Sequence, residues 1–150
     1  MEQTKKKIVC KNDHFLKNVE VALEQGKKVK IAVRGNSMNP VLNDGDIVIL
    51  EKGHLPIEKK GDIILAKHEG KYVLHRIVWI SSDFFYLAGD GNKLQVEKVR
   101  KDKAIATVGA AFRGELCLPL GFAGSRLQLF GRCLLGACWY LNYSIKKKFL

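Results

Sequence analysis

Three polar side chains in separate segments have the types that acyl-transfer chemistry requires. Ser37 lies in RGNSMNP (34–40), His75 in YVLHRIVWI (72–80) and Asp90 in LAGDGN (87–92). A serine hydroxyl is a poor nucleophile until a base removes its proton and hydrogen-bond donors stabilise the oxyanion formed on the attacked carbonyl. An imidazole on a half-apolar strand suits the base, because partial burial favours its neutral, proton-accepting form. A carboxylate in the turn after the next strand suits the group that orients the ring, as in a Ser-His-Asp set. Read by themselves, the same residues also fit a plain turn, a core histidine and one more Gly-Asp turn.

The residues around Ser37 set its presentation. Gly35 permits close backbone approach, Asn36 is a candidate helper, and Pro40 stiffens the exit from the turn. The serine is thereby displayed at a strand end, with its own N–H as an oxyanion donor. Gly35, Asn36 and Met38 are accordingly the candidates for oxyanion stabilisation and substrate positioning. If His75 were not the base, Lys67 and Lys71 would be the alternatives, and each would need a strongly depressed ammonium pKa.

The elements that must carry these groups follow from periodicity. Asn12 or Asp13 can cap a helix whose Leu16, Val19 and Leu23 share a face, with Phe15 and Ala22 flanking it and Gly26 as the stop. Val29, Ile31 and Val33 alternate with basic residues as a half-buried strand that delivers the chain to Ser37. GDIVIL (45–50) and GDIILA (61–66) read as turns feeding buried strands. HEGK (68–71) turns into YVLHRIVWI, and SSD (81–83) into FFYLAG; KAIATVGAAF (103–112) is a last strand. Period two places His75 with Val73, Ile77 and Trp79, and Arg76 on the other face with Leu74 and Val78. Many short strands, close turns and one leading helix predict a mainly β fold: a compact, partly rolled antiparallel β domain over 1–120, with the helix at 12–26. Residues 121–150 form an apolar, basic helical tail in this reading.

At 150 residues, 47% apolar and with three prolines, the chain has the composition of one globular domain. Its net charge of +11 suits nucleic acid or an anionic lipid surface. Nucleic acid is disfavoured by the lack of helix-turn-helix, finger spacing or interleaved basic and aromatic residues along a strand. Cys10, Cys117, Cys133 and Cys138 show no paired spacing, so free thiols in a reducing compartment and no metal are expected. The N-terminus has no apolar stretch behind its lysines, so neither a signal peptide nor a membrane anchor is expected there. The tail run LQLFGRCLLGACWYL (127–141), broken by Gln128 and Arg132, is short for a spanning helix. With Trp139, Tyr140 and Lys146–Lys148 it fits an interfacial helix, or a helix covering the β domain or a partner. The expected location is the cytoplasm or the periphery of the cytoplasmic membrane face.

In order and spacing, GNSMNPVLNDGDIVIL, GDIILAKHEGKYVLHRIV and YLAGDGN resemble the serine box, the base-bearing strand and the Gly-Asp-x-Asn box of the signal peptidase I superfamily, which includes the SOS-type repressors. The match covers about residues 28–92 and is of the histidine-base type. The resemblance implies Ser37 as nucleophile, His75 as base and Asp90 as the matching acid, in a largely β fold that cleaves after small residues with no metal or organic cofactor. Its implied activity is serine endopeptidase cleavage of a leader or signal-like peptide. The alternative is a non-catalytic module on the same scaffold that binds a protein or an anionic membrane. Two positions depart from the family pattern. Val96 and Glu97 stand where a second aspartate often lies, and Gly35 stands where a serine often assists the oxyanion.

Overall fold

The computed structural model describes residues 12–52 and 59–121. The tail, with Cys133 and Cys138, and the N-terminal residues up to Lys11, with Cys10, lie outside the described residues. Helix α1 runs Asn12–Glu24, with Val19 and Leu23 buried on its inner face. It ends as the glycine predicts. Gly26 takes a left-handed φ of 75°, its N–H reaches the Leu23 carbonyl at 3.0 Å, and the Lys27 N–H reaches that of Ala22 at 3.1 Å. This is the paired closure that satisfies the last helical carbonyls.

Eight strands follow: β1 Val29–Ala32, β2 Ile47–Glu51, β3 Ile63–His68, β4 Lys71–Ile80, β5 Phe84–Gly89, β6 Asn92–Arg100, β7 Ala104–Arg113 and β8 Leu116–Cys117. They form one antiparallel sheet in the order β1-β2-β7-β3-β4-β5-β6, with β8 paired to β7. The mainly β, antiparallel expectation holds, and the roll stays open because β1 and β6 are its two edges.

The sheet has a core on each side. Ile63 and Leu65 of β3 join Val48, Leu50, Ala106, Val108 and the α1 residues in one cluster. Ile64 and Ala66 join Ile77, Phe85, Leu87 and Val99 in the other. A strand covered on both faces needs apolar residues at every position, and that explains the unbroken run in GDIILA. Each such side chain contributes roughly 1.5–3 kcal/mol when withdrawn from water. Register shifts at Ile49/Leu50, Leu65/Ala66, Ile77/Trp79 and Ala88/Gly89 bend the sheet enough to wrap two cores.

Two expectations need correction. Trp79 does not share the face of His75. The shift between Ile77 and Trp79 inserts one residue, so Trp79 pairs with Tyr86 and is 61% exposed on the side of Arg76. The second correction is β6, a strand that periodicity did not announce. Its apolar Leu94 and Val96 face solvent, while Glu97 and Val99 turn inward. The pattern is inverted because an inward position carries a charged group with a specific partner.

Candidate functional site

Strand β1 hands the chain to a loop, 33–46, that is fastened at both ends. Val33 donates its N–H to the Asp46 carbonyl at 2.7 Å and accepts from Gly45 at 2.9 Å, while the Gly35 N–H donates to Asp44 Oδ1 at 2.8 Å. Asp46 receives Arg113 in a two-point pair at 2.9 and 2.7 Å and caps the Asn43 N–H at 2.8 Å. The Arg113 guanidinium, aided by the Asn43 N–H, holds the Asp46 carboxyl below the usual aspartate range, and burial opposes this only in part. Within the loop, Leu42 donates to the Met38 carbonyl at 2.9 Å, and both side chains are buried. Met38 therefore serves mainly as the loop's anchor in the core, though it also lines the floor of the groove beside Ser37.

The neighbouring Ser37 is left exposed, its N–H without an acceptor among the described residues. Gly35 has a φ of 88°, and a Cβ there would meet nothing within 4 Å, so it serves the loop's conformation and leaves space on the open side. Asn36 is exposed, and its carbonyl accepts the Asn39 N–H at 3.1 Å.

From β4, His75 meets this serine. Its Nε2 lies 3.0 Å from Ser37 Oγ, and its Nδ1 lies 2.5 Å from Glu97 Oε2 on β6. A carboxylate accepts the Nδ1–H, which leaves the Nε2 lone pair to accept the Ser37 hydroxyl proton. Glu97 reaches the ring because it pairs with Leu87, which pairs with Ile77, two residues beyond His75 on the same face. The side chains of His75 and Glu97 are 13% and 10% exposed, so the pair is shielded while the hydroxyl is open.

Asp90 does something else. Both its oxygens take Arg76, at 2.7 Å from Nε and 2.6 Å from Nη2. Arg76, 1% exposed, also donates through Nη1 to the carbonyls of Gly61 and Leu120, each at 2.6 Å. The expected contact of Asp90 with His75 is thus replaced by one with the next residue of β4. The reason is that neighbouring residues of β4 face opposite sides. Arg76 points to the opposite side of β4 from His75, and the turn that ends β5 carries Asp90 to that side, where both its oxygens are taken by the guanidinium. Its turn nonetheless supports the nucleophile. The Gly91 N–H donates to the Ser37 carbonyl at 2.9 Å, and a Cβ on Gly89 would stand 2.3 Å from that same oxygen. Glycine there is a matter of space.

The lysine alternatives fare differently from His75. Lys67 is held by the Tyr72 hydroxyl and by Glu20, 3.2 Å away, and these raise its pKa, so it stays charged and cannot accept a proton. Lys71 is exposed at the start of β4.

A groove of about 390 Å³ runs up to Ser37 and His75, with Leu16, Ile31, Val33, Leu65, Tyr72 and Leu74 among its walls. It lies between two backbone edges. Strand β1 pairs only with β2, and β4 gains its β5 partner only from Arg76 onward, so Tyr72–His75 have one side unpaired by sheet. Among the described residues no three His, Cys, Asp or Glu side chains gather as a metal site would require, and no helix is long and apolar enough to cross a membrane.

No curated protein matches the chain. A family model described as Peptidase S24-like matches residues 3–112, a span that takes in Ser37, His75, Asp90 and Glu97. The chain carries a peptidase fold and belongs to the Peptidase S24-like family.

Proposed function

We propose that the protein is a serine endopeptidase of the signal peptidase type, acting on a leader or signal-like peptide. The observation that carries this reading is the continuous chain from the Ser37 hydroxyl through both nitrogens of His75 to Glu97. In the first step His75 Nε2 takes the Ser37 proton as Oγ bonds to the scissile carbonyl carbon, and the C=O electrons move to oxygen. The imidazolium, held by Glu97, then gives that proton to the departing amine as the C–N bond breaks. Water, deprotonated by the same nitrogen, hydrolyses the acyl-serine and restores the hydroxyl. The unengaged Ser37 N–H is a donor for the oxyanion, Gly35 leaves that side open, and the exposed Asn36 is a second candidate donor.

The substrate form follows from the groove. A peptide laid in extended form between β1 and Tyr72–His75 completes both unpaired edges with main-chain hydrogen bonds, and apolar side chains enter the walls. Arg76 and Asp90 act as positioning residues that brace the loop under Ser37.

A fluorophosphonate probe tests this. Ser37 is expected to carry the adduct, located by mass spectrometry, and both Ser37→Ala and His75→Ala should lose it while keeping the parent's melting temperature. Absence of labelling in the parent, or equal labelling of Ser37→Ala, would instead favour a non-catalytic binding module. Cleavage of a peptide pool should be lost in His75→Ala and should not require strongly alkaline pH in the parent. A profile that rises only above about pH 9 would assign the base to an amine.

A further inference from the structure

The outward side of β4–β6, away from the second core, carries side chains that the site does not use. Trp79 is 61% exposed, Val96 51% and Leu94 99%, with Phe84 and Tyr86 half-buried among them. Register places them together. Trp79, Tyr86 and Lys98 form one cross-strand row, and Arg76, Ala88 and Val96 form the next on the same face. Lysines flank the apolar groups, with Lys98 Nζ lying 4.2 Å from the Phe84 ring centre and Lys60 Nζ 6.0 Å from that of Trp79. Arg100 is paired with Asp102 at 3.1 Å, so among the described residues Lys60 and Lys98 are the lysines of this face without an ion-pair partner.

Two observations choose the occupant. The described chain leaves from this side, where the Leu120 carbonyl is held by Arg76. Residues 122–150 contain no Asp or Glu, five basic residues and the apolar run 127–141. A basic segment gains nothing electrostatically from covering a basic face, whereas both complement one anionic surface. The rings of Trp79, Phe84 and Tyr86 could stack on bases, but the most exposed apolar group of the face is the aliphatic Leu94, with Val96 beside it, and such groups gain from entering a bilayer's headgroup boundary and nothing from stacking. We propose that the β4–β6 face docks on an anionic lipid bilayer. Trp79, Leu94 and Val96 enter the headgroup layer, and Lys60 and Lys98 meet the anionic headgroups. This inference is independent of the proposed hydrolysis.

The test uses the full chain with Trp139→Phe, so that Trp79 is the sole tryptophan, and vesicles of phosphatidylcholine with or without phosphatidylserine. Binding by flotation and a blue shift of Trp79 emission are expected only with phosphatidylserine. Lys60→Gln combined with Lys98→Gln, which leaves the tail intact, should weaken binding about thirtyfold. Leu94→Ser should weaken it further while the melting temperature stays at the parent's value. An unmoved Trp79 emission, double-variant binding equal to the parent's, or binding to an oligouridylate without vesicle binding would each overturn the proposal.

Discussion

Two neighbouring residues of β4 hold two carboxylates in opposite ways. His75 binds Glu97 on one face of the strand and keeps its far nitrogen on an exposed hydroxyl. Arg76 binds Asp90 on the other face, and its Nη1 donates to the carbonyls of Gly61 and Leu120. The first pair is built on an imidazole, whose two nitrogens can take a proton on one side while holding one on the other; the second is built on a guanidinium, a rigid fork that only donates. One strand thus separates proton transfer from bracing by a single residue step. The brace still reaches the nucleophile, because the turn that carries Asp90 packs Gly89 and Gly91 directly on the Ser37 backbone.

That contrast can be broken from each side. The largest effect is expected for Glu97→Gln, which keeps the shape but no longer fixes the ring tautomer. Peptide cleavage should fall roughly 10³–10⁴-fold with little change in melting temperature, and a near-parental rate would remove Glu97 from the site. For Asp90→Ala the larger effect should fall on stability, with a smaller loss of cleavage through the braced loop. Stranding the buried Arg76 charge should cost about 3–5 kcal/mol in chemical denaturation. A variant as stable as the parent would mean that the pair does not brace the turn.

Gly89→Ala links the two halves. The added methyl would stand 2.3 Å from the Ser37 carbonyl oxygen, so the nucleophile must shift. Probe labelling should slow about a hundredfold while unfolding is affected less than in Asp90→Ala. An unchanged labelling rate would show that this contact does not set the position of Ser37.

The smallest effect concerns the far end of the loop. Asp46 has its pKa lowered chiefly by Arg113, so its contribution is complete above the ordinary aspartate value of about 3.9 and is lost as pH falls through the lower folded value. Arg113→Ala should therefore melt a few degrees or less below the parent at neutral pH, and the gap should close on acidification below about pH 4. A gap that persists in acid would point to packing by Arg113 in place of charge.

Much of this molecule can be read along the chain, because local rules suffice where contacts are local. The left-handed closure at Gly26, the two-sided strand GDIILA and the alternation of β4 up to Ile77 all rest on residues within a few positions of one another. Ser37 and His75 were also legible, since a polar residue at a strand end and an imidazole among apolar neighbours each break a local pattern. Their 3.0 Å approach was a matter of pairing across 38 positions.

The choice between Asp90 and Glu97 was different. Both are acids downstream of His75, and alternation within β4 cannot say which partner strand presents a carboxylate to which face. That depended on the Arg76–Ala88 register and on a sixth strand whose alternation runs opposite to the usual one. The inserted residue before Trp79, which moves that ring to the outer face, was likewise invisible until the strands were aligned. Side-chain type and spacing specify what chemistry a chain can attempt. Register, which one extra residue inverts, assigns each group its partner, because hydrogen bonds and ion pairs form between atoms that meet in space and not between neighbours in sequence.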